Sequence, residues 1–157
     1  MDTFHSEHTV RSHALIVELP IAEAFAFFEP EGERAWAKGW DPQYHFPPDG
    51  RPERGMIFTT GHGAEQTIWT LIRHEPGSGL VEYVRTTPGS RTGTVLVQCS
   101  ALDARRTRVT VVYTLTALSP AGNAMLREMD EARYRAYIES WEKTIAEAIA
   151  RRALTRL

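Results

Sequence analysis

TRVTVVYTLTALSP, residues 107–120, joins a strand pattern to a helix start. Apolar and polar side chains alternate through it, and this period of two predicts a half-buried strand. Threonines dominate one face, so the other face is predicted to point inward. The inward face carries Val109, Val111, Tyr113 and Leu115. Ser119-Pro120 is typical of a helix start, because serine caps a helix and proline suits its first turn.

The segment after Pro120 predicts one long amphipathic helix. No proline follows and Gly122 is the last glycine, so the helix is expected to continue from about Ser119 to about Arg152. Its apolar stripe consists of Tyr134, Ile138, Trp141, Ile145 and Ala148. The opposite side is charged, which indicates that one face docks on a flat or concave surface.

Four more strands with a period of two are predicted before this one, and short turns separate all five. The strands are residues 56–60, 67–74, 80–87, 92–102 and 107–118, with a further short one at 44–46. Connections this short join antiparallel neighbours. In the fourth strand the apolar face is Val95, Val97, Cys99 and Ala101. Both faces of residues 67–74 are mixed, and neither is predicted to point inward.

The N-terminal part predicts one strand and two short helices. Residues 9–19 read as the strand, and Pro20 begins a helix whose inner face holds Ile21, Phe25 and Phe28. A residue before proline avoids the α region, so Glu29-Pro30 interrupts this helix and begins the second. Residues 37–56 are rich in glycine and proline and are predicted to be irregular. The chain is therefore predicted to form one α+β domain, residues 1–157, with residues 1–8 flexible.

Composition excludes several classes of function. The chain has 157 residues, a net charge of −2 and one cysteine. This charge gives no electrostatic footprint for nucleic acid, and no apolar run reaches the length of a membrane span. A single thiol and the absence of a signal peptide favour the cytoplasm. Whether the protein is a monomer or a homodimer stays open.

Several motifs resemble the START-like (SRPBCC) superfamily, in its bacterial polyketide cyclase/dehydrase and lipid-transport branch. They are PIAEAFAFF at residues 20–28, Pro30 to Glu33 leading to Trp36, Gly39 to Pro42, Thr67 to Trp69, Glu82 to Gly89, and Tyr113 to Asn123. The resemblance covers about residues 9–150. It implies a helix-grip fold, in which a curved antiparallel sheet wraps around a long C-terminal helix. It also implies a cavity between sheet and helix, in which members bind lipids, hormones or aromatic polyketides and some catalyse reactions.

The candidate ligand-binding residues are those expected to line this cavity. They are Trp36, Trp40, Phe58, Trp69, Tyr83, Val97, Val111, Tyr113, Met129 and Tyr137. The small side chains of the last two strands should leave a void beside the helix near Leu126, Met129 and Tyr137. An apolar pocket of roughly 300–1,000 Å³, the usual ligand range, is expected. The alternative is that the tryptophans only pack the core and that the phenols bond to protein groups.

Other titratable residues give weaker signals. Arg73, Glu82 and Arg85 are expected to face solvent, because charged strand residues usually do. Glu82 would be a general acid or base if it pointed inward. The histidines His5, His8 and His13 lack the ligands that would complete a metal site, so no metal and no organic cofactor is expected. Cys99 is expected to be a small core residue.

Three functions remain open from the sequence. The first is binding of a small hydrophobic or amphipathic ligand, apolar or aromatic. The second is an enzyme of cyclase, dehydratase or hydrolase type in the same cavity, ranked lower because no nucleophile or carboxylate pair has a telling spacing. The third is a protein-interaction module similar to chaperone activators. A cavity with paired tyrosines or an acid would favour the enzyme, and a filled core with an exposed apolar patch would favour the module.

Overall fold

The computed structural model describes residues 3–155. Within these residues, seven antiparallel strands form one sheet in the order β1-β7-β6-β5-β4-β3-β2. The elements are β1 (His8–Val17), α1 (Ile21–Ala26), α2 (Pro30–Glu33), β2 (Gln43–Phe46), β3 (Ile57–His62), β4 (Glu65–Glu75), β5 (Leu80–Thr87), β6 (Arg91–Asp103), β7 (Arg106–Ala117), α3 (Pro120–Glu128) and α4 (Glu131–Thr155). The predicted α+β helix-grip fold, a curved antiparallel sheet with a long C-terminal helix, is confirmed.

Strand β7 has the inner face that its alternation predicts. Val109 and Val111 are fully buried, and Val95 of β6 lies opposite Tyr113 in the register. One residue of the predicted β6 face is wrong, since Ala101 is exposed. The physical reason is that β6 continues past the packed core into the hairpin with β7, where residues 100–103 all face solvent and the register shifts.

The two short helices after β1 are confirmed. Pro20 stands immediately before α1, and Pro30 occupies the first turn of α2. Helix α1 packs against β6 and β7. The phenylalanines of this region, Phe25, Phe27 and Phe28, are all buried. They belong to the same buried core cluster as Val109 and Val111 of β7, so this end of the sheet is closed.

The C-terminal segment differs from the single helix predicted after Ser119. Ser119 does cap α3, because its Oγ accepts a hydrogen bond from the Gly122 amide at 3.0 Å. The chain then leaves the helix at Met129, whose φ and ψ are −86° and 67°. Asp130 begins α4 by accepting from the Arg133 amide at 2.9 Å. Aspartate is a favoured N-cap, which explains why the long helix begins at Glu131 instead.

Helix α4 has 25 residues and runs along β1. The Ile16 amide donates to Glu142 Oε2 at 2.9 Å, which ties the helix to the edge strand. Four members of the predicted stripe, Tyr134, Ile138, Ile145 and Ala148, are buried. Trp141 is half-buried. The Tyr134 hydroxyl donates to the Val111 carbonyl at 2.5 Å, so the stripe also holds on to β7.

The N-terminal segment is tied to α3. The Glu7 amide donates to Asn123 Oδ1 at 2.8 Å, and Asn123 Nδ2 donates to the His5 carbonyl at 2.9 Å. Residues 1 and 2 of the segment predicted to be flexible lie outside the described residues. No helix within residues 3–155 is long and apolar enough to span a membrane. That the whole chain forms one domain stays a prediction.

Candidate ligand-binding cavity

A cavity of about 530 Å³, here called the outer cavity, lies between the sheet and the C-terminal helices. Thr67, Arg85, Tyr113 and Leu115 form its sheet wall. The helical wall is formed by Met125, Leu126, Met129, Arg133, Tyr134 and Tyr137, which come from both sides of the break between α3 and α4. The volume lies within the predicted range. The break therefore lies over the cavity and lets two helices share one wall.

A second space of about 70 Å³, here called the inner cavity, lies deeper in the protein. Its own lining includes Glu33, Trp36, Phe58, Tyr83, Val95, Val97 and Trp141. Five residues line both spaces: Ala37, Trp40, Trp69, Tyr113 and Tyr137. The two cavities are thus neighbours that share a largely aromatic lining.

The ten candidate residues divide between these spaces. Trp40, Trp69, Tyr113 and Tyr137 line both cavities, Trp36, Phe58, Tyr83 and Val97 line only the inner one, and Met129 lines only the outer one. Val111 is not among the lining residues of either. It is fully buried, because Tyr134 lies over it and bonds to its carbonyl. Whether these residues bind a ligand stays a prediction.

The predicted origin of the void is wrong for much of the sheet. Small residues such as Cys99, Val109 and Val111 were expected to leave space, yet all three are buried in the main core cluster. The phenylalanines of the α1 region and Ile145 belong to the same cluster and fill this part. The space opens instead around larger polar and aromatic residues, beside the helix break.

The aromatic wall is held by its own hydrogen bonds. The Trp36, Trp40 and Trp69 indole nitrogens donate to Phe27 O, Pro30 O and Thr60 Oγ1 at 2.8, 2.8 and 2.9 Å. The Trp69 ring stacks on Phe58 at a centroid distance of 5.7 Å and an angle of 3°, and Trp40 meets Trp69 edge to face. Because these donors are already used, the rings offer a ligand apolar surface.

The tyrosines differ in how their hydroxyls are used. Tyr83 donates to the Phe28 carbonyl at 2.7 Å, so it bonds to a protein group, as the alternative interpretation held. Tyr113 and Tyr137 meet edge to face, with centroids 6.5 Å apart, in the lining that the two cavities share. Burial raises the pKa of all three phenols, so they stay protonated at neutral pH.

Arg85 is the clearest correction to the sequence analysis, because it faces the outer cavity and not solvent. Its Nη2 donates to Thr87 Oγ1 at 2.9 Å, and its Cζ lies 5.3 Å from the centroid of the Trp69 ring. Its Nε is buried and has no hydrogen-bond partner within residues 3–155. Burial lowers the pKa of Arg85, although a guanidinium stays charged in proteins.

The remaining charges of the outer cavity are mostly paired. Arg91 binds Glu65 through two contacts, of 3.1 and 3.3 Å, and Arg133 lies 3.4 Å from Glu128. Among the described residues, Arg85 and Lys38 of the lining form no ion pair. The cavity therefore has more positive than negative charge at its wall, which favours a ligand with an acidic group.

Glu33, which the sequence analysis did not single out, ends α2 and lines the inner cavity. Its carboxyl has no hydrogen-bond or charged partner within the described residues, and burial raises its pKa well above the ordinary value. A signal was present in the sequence, because Glu33, Ala37 and Trp40 are spaced i, i+4 and i+7. Consistent with that spacing, the Ala37 amide donates to the Glu33 carbonyl at 2.8 Å.

The other titratable candidates lie elsewhere. Glu82 is on the outer face of β5, 3.7 Å from Arg73, as its charge predicts. His13 contacts Glu139 and His8 contacts Thr116. Within residues 3–155 no three histidine, cysteine or acidic side chains form a group that could hold a metal ion. Burial raises the pKa of the Cys99 thiol to about 12, which suits a core residue.

Comparisons with solved structures identify similar folds. An aromatase/cyclase named Zhui, from a Streptomyces species, has 18% identity and a TM-score of 0.63, covering 94% of this chain and 96% of that one. Norcoclaurine synthase from Thalictrum flavum has 10% identity and a TM-score of 0.66, covering 95% and 98%. Another structure of that enzyme is in complex with dopamine and hydroxybenzaldehyde. An uncharacterized protein from Rhizobium leguminosarum has 13% identity and a TM-score of 0.64, covering 91% and 97%.

These similarities show the fold and no closer relationship. No protein-family model matches the chain, and no curated protein matches it in sequence. The shared feature is the helix-grip arrangement of a curved antiparallel sheet and a long C-terminal helix.

Proposed function

We propose that the protein binds a small planar, amphipathic molecule in the outer cavity, with its rings against Trp40 and Trp69 and an acidic oxygen at Arg85. We also propose that it belongs to the START-like superfamily, in the bacterial polyketide cyclase/dehydrase and lipid-transport branch. Its motifs and its fold support this assignment. Its one free cysteine, which is buried, fits the proposed location in the cytoplasm.

The observation that carries the binding proposal is the Arg85 guanidinium, which lines the outer cavity, forms no ion pair among the described residues and keeps an unpartnered Nε. A buried donor without an acceptor costs about 1–3 kcal/mol, and proteins rarely keep one without a reason. A carboxylate, sulfonate, phenolate or enolate oxygen from a ligand would accept a hydrogen bond from the part of the Arg85 guanidinium that lines the outer cavity. The surplus positive charge of the lining would favour the same oxygen.

The shape of the cavity supports a ligand with a flat apolar body. Its volume of about 530 Å³ is that of ordinary small-molecule sites. Trp40 and Trp69 offer ring surface, and Met125 and Met129 can adjust to ligand shape. The complex of norcoclaurine synthase with dopamine and hydroxybenzaldehyde is a case of this fold holding small aromatic molecules.

The structure supports the two alternatives, an interaction module and an enzyme, to different degrees. An interaction module does not require an internal cavity, so the outer cavity gives it no support. An enzyme is favoured by one specific observation, the position of Glu33 in the lining of the inner cavity.

The binding proposal is tested with two fluorescent probes that share a ring system. 8-Anilinonaphthalene-1-sulfonate carries an anionic group, and N-phenyl-1-naphthylamine does not. Both should bind the wild type and quench tryptophan emission. Arg85→Met should weaken binding of the sulfonate about 10–100-fold, because a hydrogen bond to a charged group is lost. The same change should alter binding of the amine by less than about threefold.

Arg73→Met is the matched control, because Arg73 lies on the outer face of the sheet and contacts Glu75 and Glu82 there. It should leave binding of both probes unchanged. If Arg85→Met weakens the two probes equally, Arg85 is not the anion anchor. If the folded wild type binds neither probe, the binding proposal is wrong.

A further inference from the structure

We propose that the Glu33 carboxyl is a catalytic general acid–base, which moves a proton to or from a molecule bound in the outer cavity. The proposal rests on the binding site argued above and adds an activity to it. The reaction class is proton transfer at a carbon whose negative charge can pass to an oxygen of the ligand. No metal or organic cofactor takes part in the proposed step.

The position of Glu33 supports this role. It lines the inner cavity, while Ala37, Trp40, Tyr113 and Tyr137 line both spaces. The inner cavity, about 70 Å³, is large enough for a few atoms or ordered waters but not for a ligand body. The reacting edge of a ligand would therefore enter beside Glu33 while its rings remain in the outer cavity.

The electrostatic surroundings of Glu33 suit a proton carrier. The titratable groups of the described residues that face the inner cavity with it are the phenols of Tyr83 on β5, Tyr113 on β7 and Tyr137 on α4. They are neutral at neutral pH, and Arg85 lies in the outer cavity. Because burial raises the pKa of Glu33, the carboxyl holds its proton at a higher pH than an exposed one. General acid–base catalysis works best with a pKa near the operating pH.

The environment of Glu33 differs from that of Glu31, the second acid of the same helix. Glu31 is exposed and accepts hydrogen bonds from Tyr44 and Arg34, which lower its pKa. Two residues later in the chain, Glu33 has neither partner. The helix therefore presents one carboxyl that stays ionised in solvent and one that can exchange a proton within the cavity.

Arg85 would complement Glu33 in such a reaction. Proton removal from a carbon moves an electron pair toward an oxygen of the ligand, and a guanidinium stabilises the charge that develops there. The two groups lie in adjacent cavities, so a flat ligand between them could be deprotonated at one end and stabilised at the other.

The test uses 5-nitrobenzisoxazole, a small flat aromatic whose ring opening needs only a base. The ionised Glu33 would take the proton from the ring carbon next to nitrogen. The electron pair of that carbon–hydrogen bond forms the third bond of a nitrile, the nitrogen–oxygen bond breaks, and its pair stays on oxygen. The product, 2-cyano-4-nitrophenolate, is measured by its absorbance.

The wild type should open the probe faster than buffer, and Glu33→Gln should lose about 100-fold or more of that rate, the usual contribution of a positioned base. The rate should rise with pH through a titration above the ordinary carboxyl range, and this titration should be absent in Glu33→Gln. Glu82→Gln, on the outer face of β5, should match the wild type.

Binding of 8-anilinonaphthalene-1-sulfonate is measured in parallel, so that failure of catalysis and failure of binding are distinguished. Glu33→Gln should bind the sulfonate within about twofold of the wild type. If the wild type binds the sulfonate but opens the probe no faster than Glu33→Gln, Glu33 is not the base, whereas the binding proposal stands. If Glu33→Gln does not fold, a wild-type rate that titrates in the ordinary carboxyl range, or not at all, overturns the proposal.

Discussion

The inner face of the sheet has two ends that differ in packing. One, the closed end, is filled by side chains, and the other, the hollow end, borders the outer cavity. At the closed end, Phe25, Phe27, Phe28, Val109 and Val111 are buried and apolar. At the hollow end, Arg85, Tyr113, Leu115, Met125 and Met129 surround about 530 Å³ of space. Met125 and Met129 are exposed, and Arg85 keeps an unpartnered nitrogen. The difference indicates that the closed end contributes apolar packing that stabilises the fold, whereas the hollow end contributes less of it.

The cause lies in which helix covers each end. Helix α1 and the C-terminal half of α4, through Ile145 and Ala148, fill the closed end. At the hollow end the covering helix breaks at Met129, so no continuous apolar stripe crosses the sheet. The inner face of β5 changes there too, from Val81 and Tyr83 to Arg85. An active or binding site often costs stability in this way.

The largest expected effect comes from breaking the closed end. Phe28→Ala should lower the free energy of unfolding by about 3–5 kcal/mol, because it removes a fully buried ring and leaves a cavity. Urea unfolding followed by circular dichroism measures this loss. Phe46→Ala is the matched control, since half of that side chain is exposed, and it should change the unfolding energy by about 0.5 kcal/mol or less. Equal losses in the two variants would contradict the assignment of the closed end as the stabilising one.

At the hollow end, a substitution should instead raise the free energy of unfolding. Arg85→Met should raise the free energy of unfolding by about 1–2 kcal/mol, because it removes a buried donor without an acceptor and keeps an apolar side chain of similar length. The same urea experiment measures the gain, and the sulfonate probe measures the accompanying loss of binding. A loss of more than about 1 kcal/mol would show instead that the contacts to Thr87 and Trp69 make Arg85 a structural residue.

Strand faces were predictable from the sequence wherever apolar side chains alternate without interruption. The alternation of β7 was sufficient to assign Val109 and Val111 to the core. In β5 the same rule places Arg85 on the face of Tyr83, but the expectation that charged strand residues face solvent was given more weight. That expectation describes packed sheets, and it fails where a strand borders a cavity.

The site residues in irregular segments were harder to predict. Glu33 belongs to a four-residue helix followed by turns, and its surroundings come from strands far away in sequence. The helix break was missed for a different reason. Neither glycine nor proline marks it, and the only signal is Asp130, an N-cap residue inside an otherwise helical pattern.

The smallest expected effect concerns the break between α3 and α4. Because of this break, no continuous helix covers the hollow end. Asp130→Ala removes the side-chain acceptor of the Arg133 amide and should lower the free energy of unfolding by about 1 kcal/mol, the usual value of an N-cap. Asp130→Asn keeps an oxygen at the same position and should retain most of that stability. Amide hydrogen exchange should become faster at Arg133 and Tyr134 in the alanine variant alone. If Asp130→Ala is instead more stable and gains helix content, the two helices join when the cap is removed, and the break is held by Asp130 against the preference of the neighbouring residues.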